Sequence, residues 1–376
     1  MDKKICYVVT IPGTFNAFFI PQLNYLEDKG FDVTVICSDS DKISSQLTRK
    51  IKRVSVPIPR GLNPWRMCKS LIQLFCIFKR EQFSLIQYST PNAALCAAIA
   101  SWLAGTKIRN YHLMGFRYLG SNGIGRFILK QLEKLTCTLS SSIECVSKSN
   151  IELGVEKGIF PAAKATVVWN GSTGGVDMTR FNIKKRETYR REIRDKYSIN
   201  EKSFVFGFAG RITRDKGINE ILEAFQACEN AKLMIVGAEE NVCSLNQNLY
   251  TSAKNNSNII WTGRVHDVEK YFAAFDFLLL PSYREGFGNV IIEAAAMGTP
   301  SIVTNIPGPI DAINPGITGL VIPVKDMVAL KQAMHYAQAN SNTFPPIQIA
   351  KYTNIRFNHI ELNHKIYERK LSLLNV

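Results

Sequence analysis

Short apolar runs alternate with amphipathic stretches along most of the chain. The first run is KKICYVVTI, and a helical pattern that reaches Gly30 and then FDVTVICS follow it. Further strand-like runs are KRVSVPI, FSLIQYST, KIRNYHL, SSIECVS and ATVVWNG, with helical patterns between most of them. Strands that alternate with helices in this way predict a parallel, doubly wound α/β sheet.

The alternation lapses between residues 170 and 200, where the chain is rich in glycine and then strongly charged. It restarts near Ser203 with SFVFGFAG, AKLMIVG, NIIWTG, FDFLLLPS and TPSIVTN. One hydrophobic core rarely serves 376 residues, so the pattern predicts two Rossmann-like domains in series. We place these domains at residues 1–180 and 181–355 and a C-terminal helix at 356–376.

The composition is that of an ordinary globular protein, with 46% hydrophobic and 20% charged residues. The apolar stretch 93–105 is shorter than the ~20 residues that a membrane-spanning helix needs. The beginning of the chain resembles a signal peptide but lacks a cleavage site, so we interpret it as a buried strand. Nine cysteines without a CxxC pair indicate a reducing compartment and apolar packing.

The net charge of +15 is concentrated in the first 180 residues, which carry +11. Such an excess favours anionic partners, namely nucleic acid, acidic lipid headgroups or pyrophosphates. A basic surface that only keeps the protein in solution is the alternative. Charge alone therefore leaves the class of partner open.

The densest chemical signal is LLLPSYREGFGNVIIEAAAMG, in which an apolar strand meets a glycine-rich turn and then a helix. Ligands of α/β sheets bind at such junctions. Gly286 and Gly288 let the backbone approach a phosphate, and the N–H groups near Gly288, Asn289 and Val290 favour an anion. The junction therefore predicts a pyrophosphate site.

Two carboxylates, Glu285 and Glu293, accompany this turn. Ionised carboxylates accept strong hydrogen bonds, which suits a ribose diol and sugar hydroxyls better than phosphates. Either residue taken alone also fits a structural role, as a partner of the helix dipole or as part of a solvated helix face. Their combination with the turn favours a nucleotide-sugar site.

A second signal is FAGRITRDKGINEILEAF, where a buried strand leads to Arg211 and Lys216 before a helix. Two cations at a strand end can neutralise a diphosphate, and a hydrogen bond to a charged group is worth about 1.5–3 kcal/mol. Ordinary surface cations are the alternative, but the helix dipole disfavours positive charge at this end.

These two stretches resemble the signature of family-four retaining glycosyltransferases with the GT-B fold. The resemblance implies two Rossmann-like domains that face a central cleft, and a C-terminal helix that crosses back to the first domain. It implies that Arg211 and Lys216 bind the donor diphosphate, that Glu285 contacts the donor sugar and that Glu293 binds the ribose. The turn Gly286, Phe287, Gly288, Asn289 and Val290 would hold the sugar and phosphates.

The resemblance extends to the first domain. RNYHLMGFRY is similar to the family segment in which a histidine reaches the reacting sugar, which implies a catalytic role for His112, although a histidine at a strand end can equally be structural. The segment NGSTGGVD resembles the branch that builds bacterial O-antigens and capsules, and it would turn Asn170 towards the cleft. Gly13 lies in an early loop that approaches a sugar or is only a tight turn.

The implied reaction is a retaining hexosyl transfer without a metal or other cofactor. A sugar, with an N-acetylated hexosamine as one candidate, moves from a nucleotide donor, expected to be UDP-linked, to a polyprenyl-diphosphate-linked saccharide. The enzyme would work at the cytoplasmic face of the inner membrane, in contact with anionic lipid. We expect no nucleic-acid partner, because the basic residues are not interleaved with an aromatic binding motif.

Four alternatives remain beside this interpretation. The net charge of +15 suggests a basic protein that binds nucleic acid or a membrane. Asp39 and Asp41 form an aspartate-x-aspartate run, the metal signature of the other large glycosyltransferase fold, or a solvated loop. A UDP-sugar epimerase of similar fold would need no acceptor. The stretch NPWRMCKSLIQLFCIFKREQ is either an interfacial membrane helix or a core helix of the first sheet.

Overall fold

The computed structural model describes residues 3–61 and 63–375, so the outer limits of the predicted domains at 1 and 376 lie outside the described residues. The chain divides into two compact units. Unit 1 is Met1–Gly174 together with His359–Val376, and unit 2 is Gly175–Asn358. The borders predicted at 180 and 355 lie a few residues from these.

Unit 1 is built on a parallel sheet of seven strands in the order β3-β2-β1-β4-β5-β6-β7. The strands are β1 (Lys4–Val8), β2 (Asp32–Cys37), β3 (Lys52–Ser55), β4 (Leu85–Tyr88), β5 (Ile108–Leu113), β6 (Ser142–Cys145) and β7 (Ala165–Val167). Most of their residues are buried, as expected of strands that are covered on both faces.

Seven helices cover this sheet within the described residues. They are α1 (Pro12–Phe18), α2 (Ile20–Asp28), α3 (Pro64–Glu81), α4 (Pro91–Leu103), α5 (Gly123–Leu139), α6 (Lys148–Glu156) and, from the end of the chain, α15 (His359–Leu374). The first amphipathic stretch, which the sequence pattern presents as one helix, is two helices that meet at Phe19. Pro21 in the first turn of α2 explains the break, because proline fits a helix start and disrupts a helix interior.

Unit 2 contains a parallel sheet of six strands in the order β10-β9-β8-β11-β12-β13. The strands are β8 (Phe204–Ala209), β9 (Ala231–Val236), β10 (Ile259–Gly263), β11 (Phe277–Leu280), β12 (Ser301–Thr304) and β13 (Gly319–Ile322). The sequence pattern did not predict β13, whose two central residues are only half-buried.

Eight helices accompany the second sheet in the part of the chain that the structure describes. They are α7 (Arg186–Lys196), α8 (Ile218–Phe225), α9 (Gln247–Lys254), α10 (Val268–Ala274), α11 (Asn289–Ala296), α12 (Pro309–Ala312), α13 (Met327–Ala339) and α14 (Pro346–Phe357). Arg186 on α7 donates to the carbonyl oxygens of Met297 and Phe275, so the charged linker segment is fastened to the core of unit 2.

Both sheets reverse their winding direction next to their first strand. In unit 1 the chain winds outward from β1 to β3 and then, on the other side, from β4 to β7. In unit 2 the corresponding neighbours are β8 and β11. Two doubly wound parallel sheets confirm the predicted fold class, and the carboxyl ends of the strands at each reversal are where such sheets bind ligands.

Within residues 3–61 and 63–375, every helix is too short or too polar to cross a lipid bilayer.

Candidate active site

The site in unit 2 is formed by two loops, which follow β8 and β11 at the reversal point of the sheet. The first loop ends at Gly217, whose φ of +74° is a left-handed conformation that glycine adopts without strain. A Cβ atom at this position would lie 2.3 Å from the carbonyl oxygen of Pro281 in the second loop. Because the two backbones touch, the side chains that precede Gly217 and follow Pro281 are held close together.

Lys216 and Glu285 form an ion pair across these loops, with 2.5 Å between Nζ and Oε1. The hydroxyl of Ser282 donates to the same carboxylate oxygen at 2.9 Å. Both charged side chains are largely buried, with 15% and 13% of their surface exposed. The structure therefore brings together one residue predicted for the phosphates and one predicted for the sugar.

A second ion pair, which the sequence analysis missed, also joins the loops. Arg284 lies 2.9 Å from a carboxylate oxygen of Asp215, and the backbone N–H of Tyr283 donates to the carbonyl oxygen of Asp215. Burial alone would raise the pKa of Asp215, but a hydrogen bond from Thr213 and the charges of Arg284 and Lys216 lower it. The sequence held one signal for this pair: Asp215 directly precedes Lys216, and Arg284 directly precedes Glu285.

The glycine-rich turn connects Glu285 to α11. Gly288 precedes the helix with a φ of +87°, and it offers no side chain that caps the first turn. Phe287 is buried and packs edge-on against Phe357 at 5.6 Å between ring centroids, so its side chain belongs to the core. Gly308, from the loop after β12, packs so closely that a Cβ atom there would lie 2.5 Å from the carbonyl oxygen of Gly286.

Glu293 lies on α11, which Asn289 and Val290 begin, and its side chain is partly buried. Burial raises the pKa of this carboxyl to about 7, against the opposing charge of Arg180 and with a further contribution from Glu269. The group therefore changes its charge near neutral pH. A ligand hydroxyl that prefers an ionised acceptor would compete with protonation.

Arg211 has a different environment from Lys216. Its guanidinium group lies 3.3 Å from Glu240, and 56% of its side chain is exposed. The structure thus pairs Arg211 with a surface carboxylate and does not join it to the ion pair of Lys216 and Glu285.

His112 lies at the end of β5 in unit 1, and its side chain is only 10% exposed. Neither ring nitrogen has a hydrogen-bond partner among the described residues, and Nδ1 lies 3.9 Å from Glu144. Phe19 packs edge-on against the ring at 5.6 Å. Burial lowers the pKa of His112 to about 4. Glu144 raises this pKa and Lys370 lowers it, and both effects are smaller than that of burial.

Gly13 and Asn170 lie elsewhere in unit 1. Gly13 is exposed in the first turn of α1, so residues 12–14 begin a helix and do not form a separate tight turn. Asn170 is flanked by residues with left-handed backbones, Trp169 at φ +53° and Gly171 at φ +90°, and Ser172 at φ +72° follows. Non-glycine residues in this region store strain and often mark functional segments.

Comparison with known families gives each unit a match. The family "Glycosyltransferase Family 4" matches residues 22–172, and "Glycosyl transferases group 1" matches residues 189–345. The "Putative teichuronic acid biosynthesis glycosyltransferase TuaC" of Bacillus subtilis (strain 168) is 31% identical over 359 residues, with 88% of each chain covered. This chain belongs to the family-four glycosyltransferases. It is an enzyme of the hexosyltransferase type, EC 2.4.

Two further relatives resemble this glycosyltransferase over most of its length. The "Capsular polysaccharide biosynthesis glycosyltransferase CapM" of Staphylococcus aureus is 29% identical, with 88% of this chain and 86% of the relative covered. The "UDP-Gal:alpha-D-GlcNAc-diphosphoundecaprenol alpha-1,3-galactosyltransferase" of Escherichia coli is 24% identical, with 88% and 87% covered.

Among solved structures, Anabaena Alr3699/HepE in complex with UDP superimposes on this glycosyltransferase with a TM-score of 0.79. The alignment covers 98% of this chain and 100% of the other at 18% identity. At this identity the likeness establishes the GT-B fold of the glycosyltransferase and nothing about its substrates.

The aspartate-x-aspartate run lies on the surface of the glycosyltransferase. Asp39 is 61% exposed and lies 3.6 Å from Lys42. Within residues 3–61 and 63–375, no three histidine, cysteine, aspartate or glutamate side chains lie together so that they could hold a metal ion.

Proposed function

We propose that this glycosyltransferase moves a hexose or an N-acetylated hexosamine from a UDP-linked donor to a polyprenyl-diphosphate-linked saccharide. The product would belong to a capsule, an O-antigen or a related surface glycan. The use of a nucleotide-sugar donor is supported by the partly buried ion pair of Lys216 and Glu285 beside the start of α11. The names of the relatives, which include a capsular enzyme and one that uses UDP-Gal and a diphosphoundecaprenol acceptor, support the rest.

In this proposal the donor diphosphate lies between Lys216 and the first turn of α11, where the helix dipole favours an anion. Arg211 joins it by leaving Glu240. That exchange costs little, because exposed ion pairs contribute only about 0.2–1 kcal/mol. Gly286 and Gly288 allow the backbone of the turn to approach the phosphates, while Phe287 holds the turn to the core.

Glu285 and Glu293 serve as hydrogen-bond acceptors for hydroxyl groups of the donor. Glu285 is held by Lys216 and Ser282 next to the phosphates, which is the place of the transferred sugar in a nucleotide sugar. Glu293, about one helical turn into α11, accepts from the ribose diol. Ionised Glu293 is the better acceptor, since carboxylates form stronger hydrogen bonds than neutral carboxyl groups.

The transfer step develops negative charge on the leaving diphosphate as the glycosidic C–O bond breaks. Lys216, Arg211 and the α11 backbone stabilise this charge electrostatically. The acceptor hydroxyl attacks from the face that the diphosphate leaves, and its proton passes to the departing phosphate oxygen. The new bond therefore keeps the configuration of the donor, and the step requires neither a separate protein base nor a metal ion.

The proposal assigns unit 1 to the acceptor. His112 would hydrogen-bond the reacting sugar, and Gly13 and Asn170 would lie near the saccharide. The strained backbone at Trp169 and Ser172 supports a functional segment around Asn170.

Contact with an anionic membrane surface is part of the same proposal. The outer face of α5 exposes apolar side chains next to basic ones, a combination typical of interfacial helices. The apolar group consists of Ile124 at 80%, Phe127 at 64%, Ile128 at 45% and Leu135 at 41% exposure. Arg126, Lys130 and Lys134 lie on the same helix. The helix α3 buries Ser70, Leu74 and Phe78 against the core, and the large apolar side chains that it exposes are Trp65 and Ile72.

Calorimetric titration with UDP, GDP and ADP in the presence of EDTA tests the donor site. We expect selective binding of UDP, weakened about tenfold to a hundredfold in Lys216→Ala, in line with a charged hydrogen bond of about 1.5–3 kcal/mol. Glu293→Ala should also bind more weakly. Lys202→Ala removes an exposed cation of the same unit and serves as the control. A wild-type protein that binds none of the three nucleotides would overturn the proposal.

A further inference from the structure

A stripe of buried polar residues crosses the face of the unit 1 sheet that α15 covers. It runs over three neighbouring strands, and its members pair in register: Gln87 with Asn110, Asn110 with Ser142, and His112 with Glu144. All five side chains belong to residues that are at most 8% exposed. Buried polar groups are costly unless they are paired, so this stripe requires partners from the element that packs on it.

The partners come from the other end of the chain. Lys370 on α15 is fully buried, and its ammonium group lies 2.8 Å from each carboxylate oxygen of Glu144 and 2.6 Å from Oε1 of Gln87. Arg369 donates to the hydroxyl of Ser142 at 3.0 Å and lies 3.7 Å from Glu144. Two cations of one helix thus surround a single carboxylate.

This arrangement leaves His112 without a hydrogen bond to its nearest carboxylate. Histidines next to a buried carboxylate commonly donate to it, which fixes the tautomer and raises the basicity of the ring. Here both oxygens of Glu144 are directed to Lys370, and Nδ1 of His112 stays 3.9 Å away. The carboxylate itself remains ionised: burial alone would raise its pKa, but Lys370, His112 and Arg369 outweigh burial and lower it.

We propose that Lys370 is a positioning residue for His112 that acts through Glu144. By binding both carboxylate oxygens, it prevents Glu144 from stabilising a protonated imidazole, and it leaves the ring nitrogens available for a substrate hydroxyl. This inference rests on the proposed function, in which His112 contacts the reacting sugar. The C-terminal helix thereby sets the chemistry of a residue that precedes it by most of the chain.

The charge of His112 depends on few neighbours. Glu144 on β6 and Lys370 on α15 act on His112 directly. Arg369 on α15 acts on Glu144. The pKa of Tyr7 on β1 is raised mainly by burial and also by the charge of Glu144. The other elements at the ring contribute uncharged side chains, namely Phe19, Gln22, Val168, Ser172 and Thr173. Substitutions at Glu144 and Lys370 therefore test the proposal directly.

The test is an NMR titration of histidine ring signals in the full-length protein, with the signal of His112 assigned by its loss in His112→Gln. In the wild type this signal should stay in the neutral form down to pH 5.5, because burial holds the pKa of His112 at about 4. In Lys370→Met the freed carboxylate should bind Nδ1–H and raise the midpoint by about one pH unit or more. Lys365→Met, on the exposed side of the same helix, should leave it unchanged.

Glu144→Gln provides a second variant in case Lys370→Met does not fold. With the carboxylate gone and the ammonium ion retained, the midpoint should move further down, and Lys370→Met/Glu144→Gln should return it towards the wild-type value. Equal midpoints and equal tautomer signals in all folded variants would overturn the proposal. The pH profile of kcat/KM separates the proposal on Lys370 from the proposed function. If Lys370→Met shifts the NMR midpoint but not the pH profile, Lys370 controls the charge of His112, and His112 takes no part in the transfer.

Discussion

Lys216 and Glu285 form an ion pair, so a diphosphate bound as proposed would share Lys216 with the carboxylate. Removing Lys216 alone leaves Glu285 unpaired and only 13% exposed beside the phosphate site. An unpaired, partly buried carboxylate repels an anionic ligand, so the loss of binding in Lys216→Ala has two causes.

A double-mutant cycle with UDP separates these two causes. We expect Lys216→Ala to weaken UDP binding more than Lys216→Ala/Glu285→Gln does, with a coupling free energy within about 0.5–3 kcal/mol. Calorimetry on the wild type, both single variants and the double variant gives this value. Strictly additive effects would mean that the two residues act independently and not as a pair in nucleotide binding.

Glu293 predicts a pH dependence of donor binding. Burial raises its pKa to about 7, and a ribose diol binds the ionised form, so affinity should increase as the pH rises from 6 to 8. Below this pKa the loss approaches about tenfold per pH unit, and binding releases a proton. A UDP-sugar is the appropriate ligand, because neither of its phosphates titrates near neutral pH.

Calorimetry in buffers of different ionisation enthalpy measures this proton release. Glu293→Gln should bind the UDP-sugar more weakly and show neither the proton release nor the increase in affinity with pH. A wild-type affinity that stays constant from pH 6 to pH 8 would contradict the assignment of Glu293 to the ribose.

At the scale of the elements, Gly217 and Gly13 both lie at helix starts, but only Gly13 has room for a methyl group. Gly217 has a φ of +74° and contacts Pro281, so Gly217→Ala introduces a clash and an unfavourable backbone conformation. Gly13 lies in the first turn of α1, and a Cβ atom there meets only Ile11, at 3.8 Å. Gly13→Ala should therefore leave the melting temperature unchanged or slightly raised, while Gly217→Ala lowers it.

Activity distinguishes the two glycines further. If Gly13 approaches the saccharide, Gly13→Ala lowers turnover without loss of stability, since the methyl group occupies the space of the ligand. Thermal melts and acceptor-dependent turnover measured on the same preparations check this. A fully active Gly13→Ala would exclude a close contact at this helix start.

The exposed face of α5 predicts binding to anionic vesicles. Replacing Ile124 and Phe127 together by glutamine removes its two most exposed apolar side chains and should abolish flotation with vesicles that contain an anionic phospholipid. The matched control is Ile347→Gln/Ile355→Gln on α14 of unit 2, whose side chains are 75% and 65% exposed. Equal flotation of both double variants would remove α5 from the membrane contact.

For the whole molecule, periodicity was sufficient to predict the fold class, because most strands coincide with an apolar run that alternates with a helical pattern. β13 was not predicted, although GLVI is apolar and has the same length as β4, β6 and β11. The motif residues Lys216, Glu285 and Glu293 were recognisable for a related reason. Each lies within a few residues of a strand end or helix start, and the local pattern places it there.

The contacts between distant segments could not be derived in this way. The pairing of Lys216 with Glu285 and of Asp215 with Arg284 results from two loops that meet at the reversal point of a sheet. Glu144 and Lys370 are separated by 226 residues, and each looks like a surface charge in its own segment. Only the packing of α15 on the sheet shows that the two are buried together.

The central claim is that this protein transfers a sugar with retention and without a metal ion. The most direct measurement is an incubation with UDP-sugars and an undecaprenyl-diphosphate-linked monosaccharide in excess EDTA, followed by NMR of the product anomer. We expect transfer with the anomeric configuration of the donor, strongly reduced in Lys216→Ala. An inverted product, or transfer that EDTA abolishes and Mg²⁺ restores, would contradict it.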